Sequence, residues 1–219
     1  MTNNLYFGNF LADDVAIYIC AVEEFASVDG LPPERKAYAL SATNEKIRNQ
    51  RAAVWHLLEF AFAHRLGIDA KQVRFSHENG KIGCSVCEFS ISHTDGFVAV
   101  ALSHRPVGVD AELLTNHFNE KLFYYITTQN ERQAAAFSPL VTAALWTAKE
   151  SLFKQDGLGI FAPSKTETSG KSVFSRTDGN LVVSVATHCA NLQFFCVCNG
   201  QACPVKLDTV QIFSGGGLS

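Results

Sequence analysis

The sequence predicts a mixed α/β fold built as two similar halves. Two observations carry that expectation. Apolar, β-branched runs alternate with longer stretches of helical periodicity, and the order strand, helices, strands occurs twice, with a seam near Ser103–Val107. The chain has 219 residues, 47% hydrophobic and 18% charged, so it holds enough apolar material to bury a core.

The elements follow in order. Val15–Val22 is apolar and β-branched and predicts a strand. Pro32-Pro33-Glu34 opens a helix, with proline at an early helical position. Asn44–Leu66 predicts a long helix, because Ala52, Val54, Trp55, Leu58, Phe62 and Leu66 recur at three- and four-residue steps. Gly67 then stops it. Phe89–Ser92 and Phe97–Ser103 predict strands around the turn His93-Thr94-Asp95-Gly96. Val107–Glu112 predicts a short strand. In the second half, Phe118–Tyr125 reads as helical. Thr128-Gln129-Asn130-Glu131 has capping-box form, and Pro139 opens a helix running to about Lys154. Strands are expected near Lys171–Ser175, Leu181–Thr187, Leu192–Cys198 and Val205–Ile212. This divides the chain into an N-terminal part, 1–104, a C-terminal part, 105–213, and a flexible tail, 214–219.

The formal net charge of −3 argues against a strongly basic nucleic-acid binder. No apolar run reaches the roughly 18–20 residues that span a bilayer. The seven cysteines are odd in number, and Met1–Asn9 lacks the basic and apolar regions of a signal peptide. A reduced, cytoplasmic protein is expected. Cys84-Ser85-Val86-Cys87 has metal-ligand spacing, but no second well-spaced pair accompanies it, so buried thiols are the expectation there.

Two segments carry chemistry. In Val107-Gly108-Val109-Asp110-Ala111-Glu112 an apolar strand ends in two carboxylates. Residues two apart on a strand share a face and lie roughly 6.6 Å apart. Asp110 and Glu112 therefore repel unless a cation sits between them, and Mg²⁺ suits such hard oxygen donors. The bland alternative is a strand end emerging into solvent. In the helix, Trp146, Glu150 and Lys154 recur every fourth residue, with Lys149 beside Glu150. An exposed Glu150–Lys154 pair is the bland alternative there. The glycines of Gln155-Asp156-Gly157-Leu158-Gly159 favour close approach to a ligand.

Taken together, these segments resemble the 4′-phosphopantetheinyl transferases, in particular the surfactin-synthetase-activating type. Phe89-Ser90-Ile91-Ser92-His93-Thr94, Val107–Glu112 and Trp146-Thr147-Ala148-Lys149-Glu150-Ser151-Leu152-Phe153-Lys154 match three motifs of that family in order. Thr128-x-x-Glu131 is similar to a fourth. The stronger likeness runs from about Gly80 to Gly159.

The resemblance implies a pseudo-twofold α/β (α+β) fold, each half a small sheet packed with helices. It implies that a serine of an apo acyl or peptidyl carrier protein attacks the β-phosphate of coenzyme A, receives the phosphopantetheine arm and releases adenosine 3′,5′-bisphosphate. Asp110, Glu112 and Glu150 would hold Mg²⁺. Glu150 would also serve as general base, directly or through a water, and Lys149 and Lys154 would contact the diphosphate, Lys154 assisting the leaving group. Ser92, His93, Lys81, Arg51 and Arg35 (or Lys36) would hold the adenine and 3′-phosphate side. The sequence departs from the family's pattern at Ile82, Ala111 and Thr127. The implied partners are coenzyme A and a carrier protein docking near Phe118–Tyr125, with neither nucleic acid nor membrane, and the implied state is a monomer. Two alternatives stand beside it: a coenzyme A-binding relative without catalysis, and another Mg²⁺-dependent enzyme acting on a diphosphate.

Overall fold

The computed structural model describes residues 11–78, 81–157 and 161–213. Gly80, Leu158, Gly159, Met1–Asn9 and the tail 214–219, which figure in the expectations above, lie outside the described residues. The chain divides into two units, 1–105 with 189–205, and 106–188 with 206–219.

The first unit is a five-stranded sheet backed by one long helix. Strand β1, Asp14–Ala21, is buried along nearly its whole length. After β1 come helices α1, Pro33–Leu40, and α2, Glu45–Leu66. Asn44 caps α2 by accepting from the Lys46 and Ile47 amides at 2.8 and 3.4 Å. Gly67 ends it at φ +65°, the left-handed cap that glycine adopts without strain. A hairpin of β2, Phe75–Glu78, and β3, Lys81–Cys84, follows; its strands are too short for alternation to reveal them. Strands β4, Glu88–Thr94, and β5, Phe97–Ser103, form the expected hairpin, with Gly96 at φ +78°. Tyr18, Leu57, Leu58, Phe62, Val98 and Leu102 centre a core between α2 and the sheet.

The second unit opens with β6, Val107–Leu113, then α3, Glu120–Ile126, α4, Gln129–Ala134, and α5, Pro139–Asp156. Strands β7, Val173–Thr177, and β8, Leu181–Thr187, complete its sheet with the two-residue β11, Asp208–Thr209.

The two units repeat one connectivity. A first strand is followed by helices, then by a hairpin whose second strand returns antiparallel to the first: β1–β5–β4 in one, β6–β8–β7 in the other. This is the mixed α/β, duplicated arrangement the sequence predicts.

The structure differs at the C-terminal end. Residues 189–205, which the reading by sequence placed with the second half, add β9, Asn191–Cys198, and β10, Gln201–Val205, to the first unit's sheet. Strand β9 runs parallel to β1, a pairing across some 175 residues that no local pattern announces. The expected strand Val205–Ile212 does not form as one piece. Asn199 and Gly200, at φ +51° and +67°, make a two-residue turn that closes β9 onto β10 instead. Glu24 braces that turn by accepting from both amides, at 3.1 and 2.8 Å.

Candidate active site

In the second unit the site is built where β6 meets α5. Gly108 decides how closely they meet. A Cβ there would lie 1.8 Å from the Ser151 carbonyl oxygen and 2.6 Å from the Gln155 nitrogen. Only the missing side chain lets the strand press against the helix backbone. Because side chains alternate along a strand, Asp110 and Glu112 share Gly108's face and point toward α5. The other face, Val107, Val109 and Ala111, is buried.

Along α5, Trp146, Glu150 and Lys154 form one half-buried stripe, as their four-residue spacing predicts. The Lys154 ammonium donates to Asp110 Oδ1 at 2.7 Å, with Asp110 only 4% exposed. This is a cross-element contact that the bland pairing of Lys154 with Glu150 does not include. Burial raises the pKa of Glu150; the Asp110 charge raises it further, Lys154 opposes, and Glu112 adds a smaller push upward. The three carboxylates and Lys154 thus form one electrostatic group. Their hard oxygen donors suit a divalent cation. As arranged, Lys154 supplies the positive charge beside Asp110, and no three acidic, imidazole or thiol groups among the described residues converge closely enough to hold a metal ion.

Beside Asp110 lies a chain of buried hydroxyls. Ser184 is the register partner of Asp110 on β8. Its Oγ lies 2.7 Å from Thr147 Oγ1 on α5 and 2.7 Å from Ser175 Oγ on β7. This ties the helix to the sheet at the level of the carboxylates. The sequence carries no periodic signal for it.

Lys149 does not join this group, contrary to the expected diphosphate contact. It is 0% exposed, and its ammonium donates to Glu131 Oε1 and Oε2 at 3.0 and 2.7 Å and to the Thr166 carbonyl. One residue's step around a helix turns a side chain by roughly 100°, which carries Lys149 from the Glu150 stripe into the interior. Glu131, also 0% exposed, further accepts from the Thr128 amide at 2.9 Å, the Thr168 amide at 3.0 Å and Thr168 Oγ1 at 2.7 Å. Burial would raise its pKa, but the hydrogen bonds from Lys149, Thr168 and Thr128 prevail and hold it below the ordinary carboxylate range. For Lys149, burial prevails over Glu131 and lowers the pKa. The pair pins the segment Thr166–Thr168 to α4 and α5. The capping box was legible in the sequence; this second task of Glu131 was not.

The remaining candidates lie in the first unit. On β4, Ser92 is 4% exposed, while His93 faces the opposite side and is exposed. Gln50 of α2 holds the end of that strand through the Thr94 carbonyl, at 2.8 Å. Arg51 stacks on Tyr38, 4.1 Å from the ring centre, and donates to the Tyr38 carbonyl and Ser41 Oγ at 2.8 and 3.0 Å. It thereby braces the link between α1 and α2. Arg35 lies 4.3 Å from the Trp55 ring centre, on the wall of a cavity of about 460 Å³ that Phe75 and Lys71 also line. Lys36 pairs at the surface with Asp29, at 3.3 Å. Lys81 opens β3.

Residues 106–196 match the family model of the 4′-phosphopantetheinyl transferase superfamily. The chain is 34% identical over 85 residues to the 4′-phosphopantetheinyl transferase gsp of Aneurinibacillus migulanus. That match covers 34% of this chain and spans about a third, 33%, of the relative's length.

Proposed function

We propose that this chain, whose residues 106–196 match the family model of the 4′-phosphopantetheinyl transferase superfamily, moves the phosphopantetheine arm of coenzyme A onto a serine of an apo carrier protein. The observation that carries the reading is the coupled group Asp110, Glu112, Glu150 and Lys154, which falls wholly inside the matched segment.

Each side chain has a task in this proposal. Lys154 neutralises charge that gathers on the departing bisphosphate, and its contact with Asp110 holds it ready. Glu150, whose proton affinity is raised by burial and by Asp110, is the better base for the serine hydroxyl. Asp110, Glu112 and Glu150 are proposed as the oxygen donors for Mg²⁺; they do not converge on one point as arranged, so their side chains would have to draw together around the ion, which would offset the charge of the diphosphate and of the carboxylates. Lys149 acts from behind, by fixing the chain around Glu131. In the first unit, Arg35, Arg51, Lys81, Ser92 and His93 are proposed for the adenosine and 3′-phosphate end.

The carrier protein is proposed to dock on the aromatic surface at α3, where Tyr124 and Tyr125 are 53% and 66% exposed. A cytoplasmic location and a monomeric state belong to the same proposal. Among the described residues no helix is long and apolar enough to cross a membrane.

The test is direct. The protein is incubated with coenzyme A, Mg²⁺ and apo carrier proteins of several kinds, and each carrier is weighed by mass spectrometry. A carrier heavier by one phosphopantetheine group is the expected result. Coenzyme A binding without any such product would point to a binding relative. Diphosphate hydrolysis without transfer would point to a different enzyme.

A further inference from the structure

One pair of thiols has no part in the proposed transfer. Cys84 ends β3 and Cys87 immediately precedes β4, so the chain turns between them in two residues. The turn is held: the Ser85 amide donates to the Arg74 carbonyl at 3.1 Å. Across it, the Cys84 thiol donates to the Cys87 carbonyl oxygen at 3.1 Å. Both residues are partly buried and pack, with Val86, against the first unit's core. The other cysteines differ. Cys20 and Cys189 are buried, and Cys196, Cys198 and Cys203 are exposed on β9 and β10.

We propose that Cys84 and Cys87 are a reversible oxidation site, in which hydrogen peroxide converts the dithiol to an intramolecular disulfide through a sulfenic acid on Cys84. Three features support the order of events. The two-residue turn and the 3.1 Å contact of the Cys84 sulfur with the Cys87 carbonyl oxygen bring the two residues together. Hydrogen bonding from the Cys87 thiol, against the opposing effect of burial, and with help from the Val86 and Cys87 amides, lowers the Cys84 thiol to about 6, which favours its thiolate over that of Cys87. Glu88, beside the pair, opposes the shift without reversing it. The Cys87 thiol is pushed up instead, chiefly by the same hydrogen bond, which leaves it the resolving partner.

The chemistry balances. The Cys84 thiolate attacks one peroxide oxygen; a sulfur–oxygen bond forms, the oxygen–oxygen bond breaks, and the departing hydroxide takes a proton to leave as water. The Cys87 sulfur then attacks Cys84. The disulfide forms, the sulfur–oxygen bond breaks, and the Cys87 proton leaves with the oxygen as a second water. Peroxide gains the two electrons that the thiol pair loses. A dithiol reductant reverses the bond by exchange. The disulfide would join the end of β3 to the start of β4, which carries Ser92 and His93 at its far end.

The test uses the whole protein. It is treated with equimolar hydrogen peroxide, its remaining thiols are blocked with one alkylating agent, and it is then reduced and labelled with a second. Expected: Cys84 and Cys87 carry the second label together, a linked peptide spans them before reduction, and dithiothreitol restores both thiols. Expected also: in Cys87→Ser, dimedone traps a sulfenic acid on Cys84 and no disulfide replaces it. The proposal is overturned if Cys84 and Cys87 both carry the first label while exposed Cys196, Cys198 or Cys203 has oxidised. It is equally overturned if Cys84 is found linked to any other cysteine. Because the wild-type labelling stands alone, misfolding of the variant would not rescue it.

Discussion

Replacing Lys149 by methionine removes an ammonium that the structure shows fully enclosed. Its loss leaves the Glu131 carboxylate, 0% exposed, with the Thr128 and Thr168 donors but without the opposite charge. Breaking a buried ion pair by removing one partner costs about 3–5 kcal/mol, because the surviving charge stays desolvated. In a chain of this size each kcal/mol moves the melting temperature by about 2–4 °C, so Tm should fall by about 6–20 °C. Thermal unfolding followed by circular dichroism measures this. The double variant Glu131→Gln/Lys149→Met removes both charges and should recover most of the loss. A Lys149→Met protein that melts with the wild type while its KM for coenzyme A rises severalfold would contradict this role. That outcome would put the ammonium at the diphosphate, where the motif alone suggested it.

Gly108→Ala forces a Cβ to within 1.8 Å of the Ser151 carbonyl oxygen, so β6 must draw away from α5. Urea unfolding should show a loss of at least about 1–3 kcal/mol, the ordinary cost of overpacking, with coenzyme A affinity falling too. Glu131 has a folded pKa below the ordinary 4.5, so its contribution is complete above that value and is lost as pH falls through the lower folded one. Acid unfolding followed by fluorescence should therefore have a shallower limb in Glu131→Gln than in the wild type. Tyr124→Ser/Tyr125→Ser should raise KM for the carrier severalfold and leave Tm and KM for coenzyme A unchanged. An unchanged carrier KM would move the docking surface elsewhere.

The parts of this fold that were legible share one property: their signal is local. The three- and four-residue steps of α2 and α5 survive in the structure because each helix buries a stripe against a sheet. The alternation along β6 alone puts Asp110 and Glu112 on one face. The burial of Lys149 against Glu131 is not legible, because helical phase distinguishes neighbours only when the buried direction is known, and Glu131 lies 18 residues away. Ser184 beside Asp110 depends on strand register, which follows from the whole sheet. The return of β9 to β1 was equally out of reach. The β9–β10 turn was not: Asn199-Gly200 is a recognisable hairpin signal between two apolar runs.

In the proposed chemistry the group formed by Asp110, Glu112, Glu150 and Lys154 transfers a phosphopantetheine arm. Intact-mass measurement of an apo carrier protein, incubated with coenzyme A, Mg²⁺ and either wild type or Glu150→Gln, tests it most directly. The proposed chemistry requires the carrier to gain one phosphopantetheine with the wild type and none with a folded Glu150→Gln. Equal modification by both proteins, or modification by neither across several carrier classes, would contradict it.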